Sequence, residues 1–271
     1  MAITSFIPQV WSARLQQNLQ KSLVFGNLCN RNYEGDIAQW GDTVHINVLN
    51  DVTVKPYTPG AELADPEQLS GTDTVLSINH GAYYNFFLND VDAAQARADV
   101  MDVAMRNAAY QLAVDAEEYI IDVIRQEAGI QLAIPMPSDA LGGLYTLLLD
   151  LKQVLDSRNV PRYDRKLILS PDMETVLLKD DRFITGSSDA AHRLAEGAVA
   201  RALGFDIYIS NNLENEFVVM IPDAVTFANQ ITKVEAYRPE KGFCDCVKGL
   251  CLSGAKVTMP QAICLCTIVE D

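Results

Sequence analysis

Apolar residues at Met101, Met105, Ala108, Leu112, Ala116, Tyr119 and Val123 recur at spacings of three and four. That spacing predicts seven side chains on one face of a helix. The stretch from Val91 to Gly129 contains no proline and no internal glycine. Asn89 or Asp90 can cap its start and Gly129 can end it. Unbroken, the helix is about 55 Å long; a kink near Asp99 is compatible with the pattern. It reads as a spine with other parts attached at both ends.

Ahead of it the period changes to two. Val44, Ile46 and Val48 alternate with Thr43, His45 and Asn47, as in a half-buried strand. Pro56, Pro59, Gly60, Pro66 and Gly71 punctuate a long tip. A return strand is predicted through Leu76, Ile78, Tyr84, Phe86 and Leu88, giving one hairpin over Gly41–Leu88. Its tip has too little apolar content for a core of its own. It is either a loose surface loop or a segment held by another chain. Upstream, Trp11, Leu15 and Leu19 suggest a short amphipathic helix in an N-terminal arm.

Behind the long helix the chain alternates helices and strands. Leu141, Leu144, Leu148, Leu151 and Leu155 predict one face of a helix over Ser138–Asn159, stopped by Pro161. Lys166–Leu169 reads as a buried strand, and Pro171 opens a helix to about Lys179. An alanine-rich helix is expected over Asp189–Leu203, then strands at Phe205–Ser210 and Phe217–Ile221. From Ile231 the chain is mostly strands, with Phe243–Leu252, Ala255–Met259 and Ala262–Val269 as the main runs.

Composition narrows the function. Of 271 residues 49% are hydrophobic, enough for a core, and the net charge is −15. A protein that grips phosphate backbones carries a basic patch, and no long one is present. No basic start followed by an apolar run marks a signal peptide. No window approaches the 18 apolar residues of a membrane span, so no membrane partner is expected. Six cysteines without a secretion signal point to a reduced compartment.

The search for catalytic chemistry is short. His45, His80 and His192 lack metal-motif spacing. His45 and His80 are candidate cross-strand neighbours in the hairpin, read as a solvated pair. Gly249–Lys256 approaches a phosphate-binding loop, but an alanine displaces the lysine and the interior reads as strand. Cys244, Cys246, Cys251, Cys264 and Cys266 form the sharpest cluster. Cys-x-Cys in a strand puts both thiols on one face, yet it is not the usual zinc spacing, and cysteine packs as a small hydrophobe. Glu117–Glu118 and Asp180–Asp181 read as solvated faces. No cofactor is expected.

Several segments resemble one family in the same order. Gly41–Ile46 (GDTVHI) resembles the rising strand of the extended loop of tailed-phage major capsid proteins. Val160–Met173 (VPRYDRKLILSPDM), Leu203–Leu213 (LGFDIYISNNL) and Glu235–Glu240 (EAYRPE), followed by Val247–Leu250 and Gly254–Val257, resemble later segments of that family. The resemblance implies a mixed α+β, Hong Kong 97-type capsid fold. It implies an N-terminal arm over 1–40 and an extended β-hairpin loop over 41–88. A peripheral domain with the spine helix would take 89–135 and 231–271, and an axial α/β domain 136–230.

It also implies a structural, non-catalytic protein that self-assembles as hexamers and pentamers into an icosahedral shell around double-stranded DNA. Such a virion protein is assembled in the host cytoplasm. A separate scaffolding protein and a portal are implied partners, and a decoration or cement protein is compatible. Weak or no specific contact with the packaged DNA follows from the acidic charge. The candidate inter-subunit residues are Val44, Ile46, Ile78 and Phe86 on the alternating hairpin face. Lys55 is the one base against seven acids between Gly41 and Asp90; no cross-link through it is predicted. A basic seat for the hairpin is expected at Lys152, Arg158, Arg162, Arg165 and Lys166. The alternatives are an encapsulin-type compartment and, in a different class, a metal or redox enzyme on the cysteine cluster.

Overall fold

The computed structural model describes residues 23–34, 39–49, 53–54, 68, 71–89, 100–136, 143–179, 201–239 and 244–269. The arm helix, Lys55, most of the hairpin tip, residues 91–99 and the alanine-rich segment up to 200 lie outside the described residues. In chain order the labelled elements are α1 (Phe25–Leu28), β1 (Thr43–Leu49), β2 (Gly71–Ser77), β3 (His80–Asn89) and α2 (Val100–Glu127). They continue with β4 (Ile130–Pro135), α3 (Gly143–Ser157), β5 (Arg165–Leu169), α4 (Pro171–Lys179), β6 (Arg201–Ala202) and β7 (Phe205–Ile209). The last are β8 (Glu216–Met220), β9 (Val225–Tyr237), β10 (Cys244–Val257) and β11 (Cys264–Val269).

Three sheets organise them: β1-β2, β3-β10-β9, and β4-β11-β8-β5-β7-β6. The six-stranded sheet is mixed. β4 and β11 run parallel, as do β5 and β7, while β8 lies antiparallel to both β11 and β5. Its inner strands β11 and β8 and the Leu167–Leu169 run of β5 read as near-continuous apolar runs because both faces are covered, whereas β4 at the edge alternates buried and exposed residues. Leu167, Ile168, Leu169, Phe217, Val218 and Val219 are fully buried. Against it, α3 turns Leu144, Leu148, Leu151 and Leu155 inward, the face its leucine spacing predicts. Leu141 lies outside the described residues. The Gly249–Lys256 segment is strand, part of β10, with no loop opening onto a helix.

The 28 residues of α2 span about 42 Å. Its buried face is turned from the predicted one. Met105, Leu112 and Ala116 are buried as expected, but Ala109, Ala113, Ile120, Ile121 and Ile124 share the core with them, while Ala108, Tyr119 and Val123 are only half-buried. The apolar stripe is wider than a single row because α2 is packed on more than one side, by α1 and by β3 and β10.

The hairpin is shorter than predicted. β1 and β2 pair from Thr43↔Ser77 to Leu49↔Gly71. Beyond Ile78 the chain leaves this ribbon, and β3 pairs instead with Cys244–Ser253 of β10. The change of partner sits where Ile78 donates its N–H to the Asp42 carbonyl and accepts from Gly41. Both closing strands are longer than their patterns suggest, and β10 runs unbroken through the Ser253–Gly254 position that reads as a gap. Residues 201–202 form a short strand where the end of a helix is expected.

Candidate assembly surface

The base of the hairpin packs on its own chain. Ile46, Leu76 and Ile78 form a small cluster with Ala228 of β9 and Leu252 of β10, and Val44 and Tyr33 pack at its edge. Gly254 makes this possible: a Cβ there would lie 2.6 Å from the Ser77 carbonyl oxygen and 2.7 Å from Ile78 Cδ1. The face carrying Val44, Ile46 and Ile78 is therefore covered by the chain itself, a correction to the expectation that it adheres to a neighbour. The physical reason is that β2 leads straight into the sheet beneath it, so the nearest apolar surface is intramolecular. Phe86 also points inward, half-buried against the main core.

What the hairpin base does not cover is the rest of the same sheet face. In a strand, adjacent residues point to opposite sides. The doublets Tyr83–Tyr84 and Phe86–Phe87 must therefore place one aromatic ring on each face of β3. Tyr84 and Phe86 pack inward, toward α2; Tyr83 and Phe87 remain 78% and 65% exposed. Register sets Leu250 opposite Tyr83, and Lys248 opposite Asn85. Tyr237 of β9 stands opposite Cys246, donates to Asn85 Oδ1 (3.2 Å) and lies 5.3 Å under the Lys248 ammonium. The exposed face is thus aromatic with a few polar groups, a composition typical of interface centres. The aromatic doublets were a readable signal for these residues that a hydrophobic-face reading passes over.

The predicted basic seat divides. Arg165 is buried, and its guanidinium donates to Asp156 Oδ1 (2.8 Å), the Val160 carbonyl (2.6 Å) and the Pro161 carbonyl (2.8 Å). It ties the turn after α3 to β5 and offers no charge to a neighbour, which corrects its place among the contact candidates. Asp156 is held below the usual carboxylate range, first by the Arg165 hydrogen bond and then by the nearby guanidinium charges. Lys166 is engaged by Asp164 (2.7 Å) and Asp206 (3.1 Å). Burial opposes its charge, but those bonds hold the ammonium above the ordinary lysine range. Arg162 stays 78% exposed beside Asp156, and Arg158 is exposed with Nη1 at 3.4 Å from the Gly129 carbonyl. Arg158 and Arg162 keep outward charge, and Lys152 of α3 is half-buried.

A second residue departs from its expectation. Glu117 is buried, not solvated, whereas Glu118 is exposed. The Glu117 carboxylate accepts from the Val24 and Phe25 amides and from Asn212 Nδ2 (3.0 Å). It satisfies the free amides at the start of α1 and joins the entering chain, α2 and the turn after β7. Burial raises its pKa, and the three donors work against that rise. No spacing rule marks it, because its partners are 92 to 95 positions away.

The two described histidines are not neighbours. His45 Nδ1 meets Asp73 Oδ2 across the hairpin at 2.7 Å, whereas His80 Nε2 meets Asp115 Oδ2 of α2 at 2.7 Å and stacks on Tyr119. The cysteine cluster also separates. Cys244 and Cys246 lie 3.9 Å apart in β10, and Cys264 and Cys266 lie 3.7 Å apart in β11, which belongs to a different sheet. Each pair shares a face as its spacing predicts, and all six cysteines are buried. The Cys251 thiol is pushed up to about 12 by burial, so it stays protonated and inert. Among the described residues no three His, Cys, Asp or Glu side chains are placed to share a metal.

No family model and no curated protein sequence matches the chain. Solved structures do. A structure from Mycobacterium phage Che8 aligns with a TM-score of 0.72 and 28% identity over 90% of each chain. The capsid of cyanophage P-SCSP1u aligns with a TM-score of 0.68 and 18% identity, over 92% of this chain and 89% of that one. A virus-like particle from Pyrococcus furiosus aligns at 0.58 and 15%, over 95% and 98%. The mixed helix-and-sheet fold is that of phage capsid subunits, and the resemblance read from the sequence is borne out.

Proposed function

We propose that this chain is the major capsid protein of a tailed phage and builds an icosahedral shell of hexamers and pentamers around double-stranded DNA. The observation that carries the reading is likeness over about nine-tenths of both chains to phage capsid subunits. A partial match would show a shared module; a match from end to end supports a shared role. In this reading α2 is the spine of a peripheral domain with the three-stranded sheet, and the six-stranded sheet forms the axial domain, which moves β3, β4 and β11 out of the ranges 41–88, 89–135 and 231–271 in which the sequence bounds place them. Residues 1–40 act as the N-terminal arm. The role is structural, with no catalytic step.

The physical chemistry agrees. A shell subunit needs surfaces that stay apolar until a neighbour covers them, and Tyr83, Phe87 and Tyr237 provide one. Each contact can be weak because every subunit repeats it. The acidic hairpin seats against exposed bases, for which Arg158 and Arg162 remain candidates, with Lys55 as its own single base. The net charge of −15 suits a wall along which packaged DNA slides without specific contact. A scaffolding protein and a portal complete the assembly in the host cytoplasm, and the reading is compatible with a decoration protein.

The second reading, a closed compartment that holds cargo protein, is favoured by the likeness to the virus-like particle, which spans 98% of that chain. Electron microscopy of particles purified from cells that express the chain with its neighbouring genes tests both. Shells that contain nuclease-protected DNA support the capsid. Shells that contain one discrete protein support the compartment, and the absence of shells contradicts both.

A further inference from the structure

We propose that Cys244 and Cys246 bind one soft, thiophilic cation of the copper(I) class on the outer face of the three-stranded sheet. The site is independent of the shell reading. Residues two apart in a strand point to the same side, and the two sulfurs lie 3.9 Å apart. An ion bonded to both at about 2.3 Å would hold them at an angle of about 116°. That angle is close to trigonal, so the pair already stands where a three-coordinate ion needs it. The third position points away from the strand.

Register decides which side of the sheet the sulfurs take. Cys246 stands opposite Phe87 of β3 and Tyr237 of β9, and facing residues of neighbouring strands share a side. Both of those rings are exposed to solvent. The thiols therefore lie at the floor of the outer face, beneath the rings, and not in the core between the sheet and α2. Cys264 and Cys266 make the contrast. Their sulfurs are 3.7 Å apart, but they stand opposite Val219 and Phe217 of β8, and all four side chains are fully buried. The same spacing there fills a core, where cysteine acts as a small hydrophobe.

The donor set selects the ion. Magnesium and calcium want oxygen ligands. The one carboxylate between the two cysteines, Asp245, points to the opposite side and is engaged by Arg238 at 2.7 Å. Structural zinc is closed by four protein ligands, and among the described residues no third His, Cys, Asp or Glu joins the pair. Two thiolates suit a soft monovalent ion. Losing two thiol protons for one positive charge leaves the bound site negative. Lys248, next in the same row, brings an ammonium to that side, seated 5.3 Å over the Tyr237 ring and paired with Glu235 at 2.9 Å.

The test uses the full-length protein, reduced and kept free of oxygen. Copper(I) is supplied as its bicinchoninate complex, and the metal retained per chain is counted after desalting. The expected result is one copper(I) per chain. Cys244→Ser and Cys246→Ala are each expected to lower the affinity about tenfold or more with unchanged circular dichroism, and Cys266→Ala to leave it unchanged. X-ray absorption of the loaded native protein, which needs no substitution, is expected to show sulfur neighbours at the copper. Four results overturn the inference: no retained copper, an equal loss with Cys266→Ala, only oxygen or nitrogen neighbours, or displacement by a tenfold excess of zinc. Each of them leaves the capsid reading standing.

Discussion

The six-stranded sheet buries Leu167, Ile168, Phe217, Val218 and Val219 completely, whereas the three-stranded sheet leaves Tyr83 and Phe87 largely in solvent. The two regions differ in what completes them. In the first, α3 supplies four leucines and Arg165 closes the following turn, so every large apolar side chain named above finds its cover within the chain. In the second, the hairpin base covers one half of a face with Ile46, Leu76 and Ile78 and stops. Among the described residues, the exposed rings of Tyr83 and Phe87 beyond it are what a subunit would present to another. The contrast separates residues that make the fold from residues that make the assembly.

Substitutions can break that contrast at either end. The largest effect is expected from Leu148→Ala, a cavity in the middle of the α3 face, at about 3–5 kcal/mol, read by urea unfolding of the unassembled protein. Next, Arg165→Met is expected to cost about 2–4 kcal/mol because it strands the Val160 and Pro161 carbonyls and opens the buried turn they close. Arg162→Met should cost under about 1 kcal/mol, since its pair is exposed. Equal losses for the two arginines, measured in the same assay, would contradict the division of the basic cluster.

Glu117 gives a pH signature of intermediate size. Its folded pKa is raised, so the advantage of the protonated form is fully present below the unfolded value and is lost as pH rises through the folded one. Relative to Glu117→Gln, the native protein should lose stability between acid and neutral pH. A difference that is flat across that range would mean the carboxyl is not desolvated as described. The smallest effect on folding is expected from Tyr83→Ser with Phe87→Ser, within about 0.5 kcal/mol. The same pair should sharply reduce shell yield in sedimentation. Shells at native yield would remove this face from the assembly.

The course of the sequence explains why some of this was legible and some was not. The leucine spacing of α3 and the proline opening α4 report local geometry, and both elements stand where those signals put them. The hairpin extent failed because period two continues through Ile78 while the strand changes partners there, and alternation says nothing about which strand lies alongside. The α2 face was drawn too narrow because a helix packed on two sides needs more than one stripe. Glu117 and Arg165 looked like surface charges; their burial depends on amides and carbonyls of Val24, Phe25, Val160 and Pro161, which carry no side-chain signature. The hairpin-face candidates Ile46 and Ile78 failed in the opposite sense, since an alternating apolar face does not say whether its own chain or another covers it.

The central claim is that the chain is a shell-forming subunit, and sedimentation velocity of the purified full-length protein, with electron microscopy of each peak, tests it most directly. The account predicts ring-shaped capsomers or closed shells whose yield falls with Tyr83→Ser and Phe87→Ser. A single subunit-sized species at every concentration, salt and pH would contradict it.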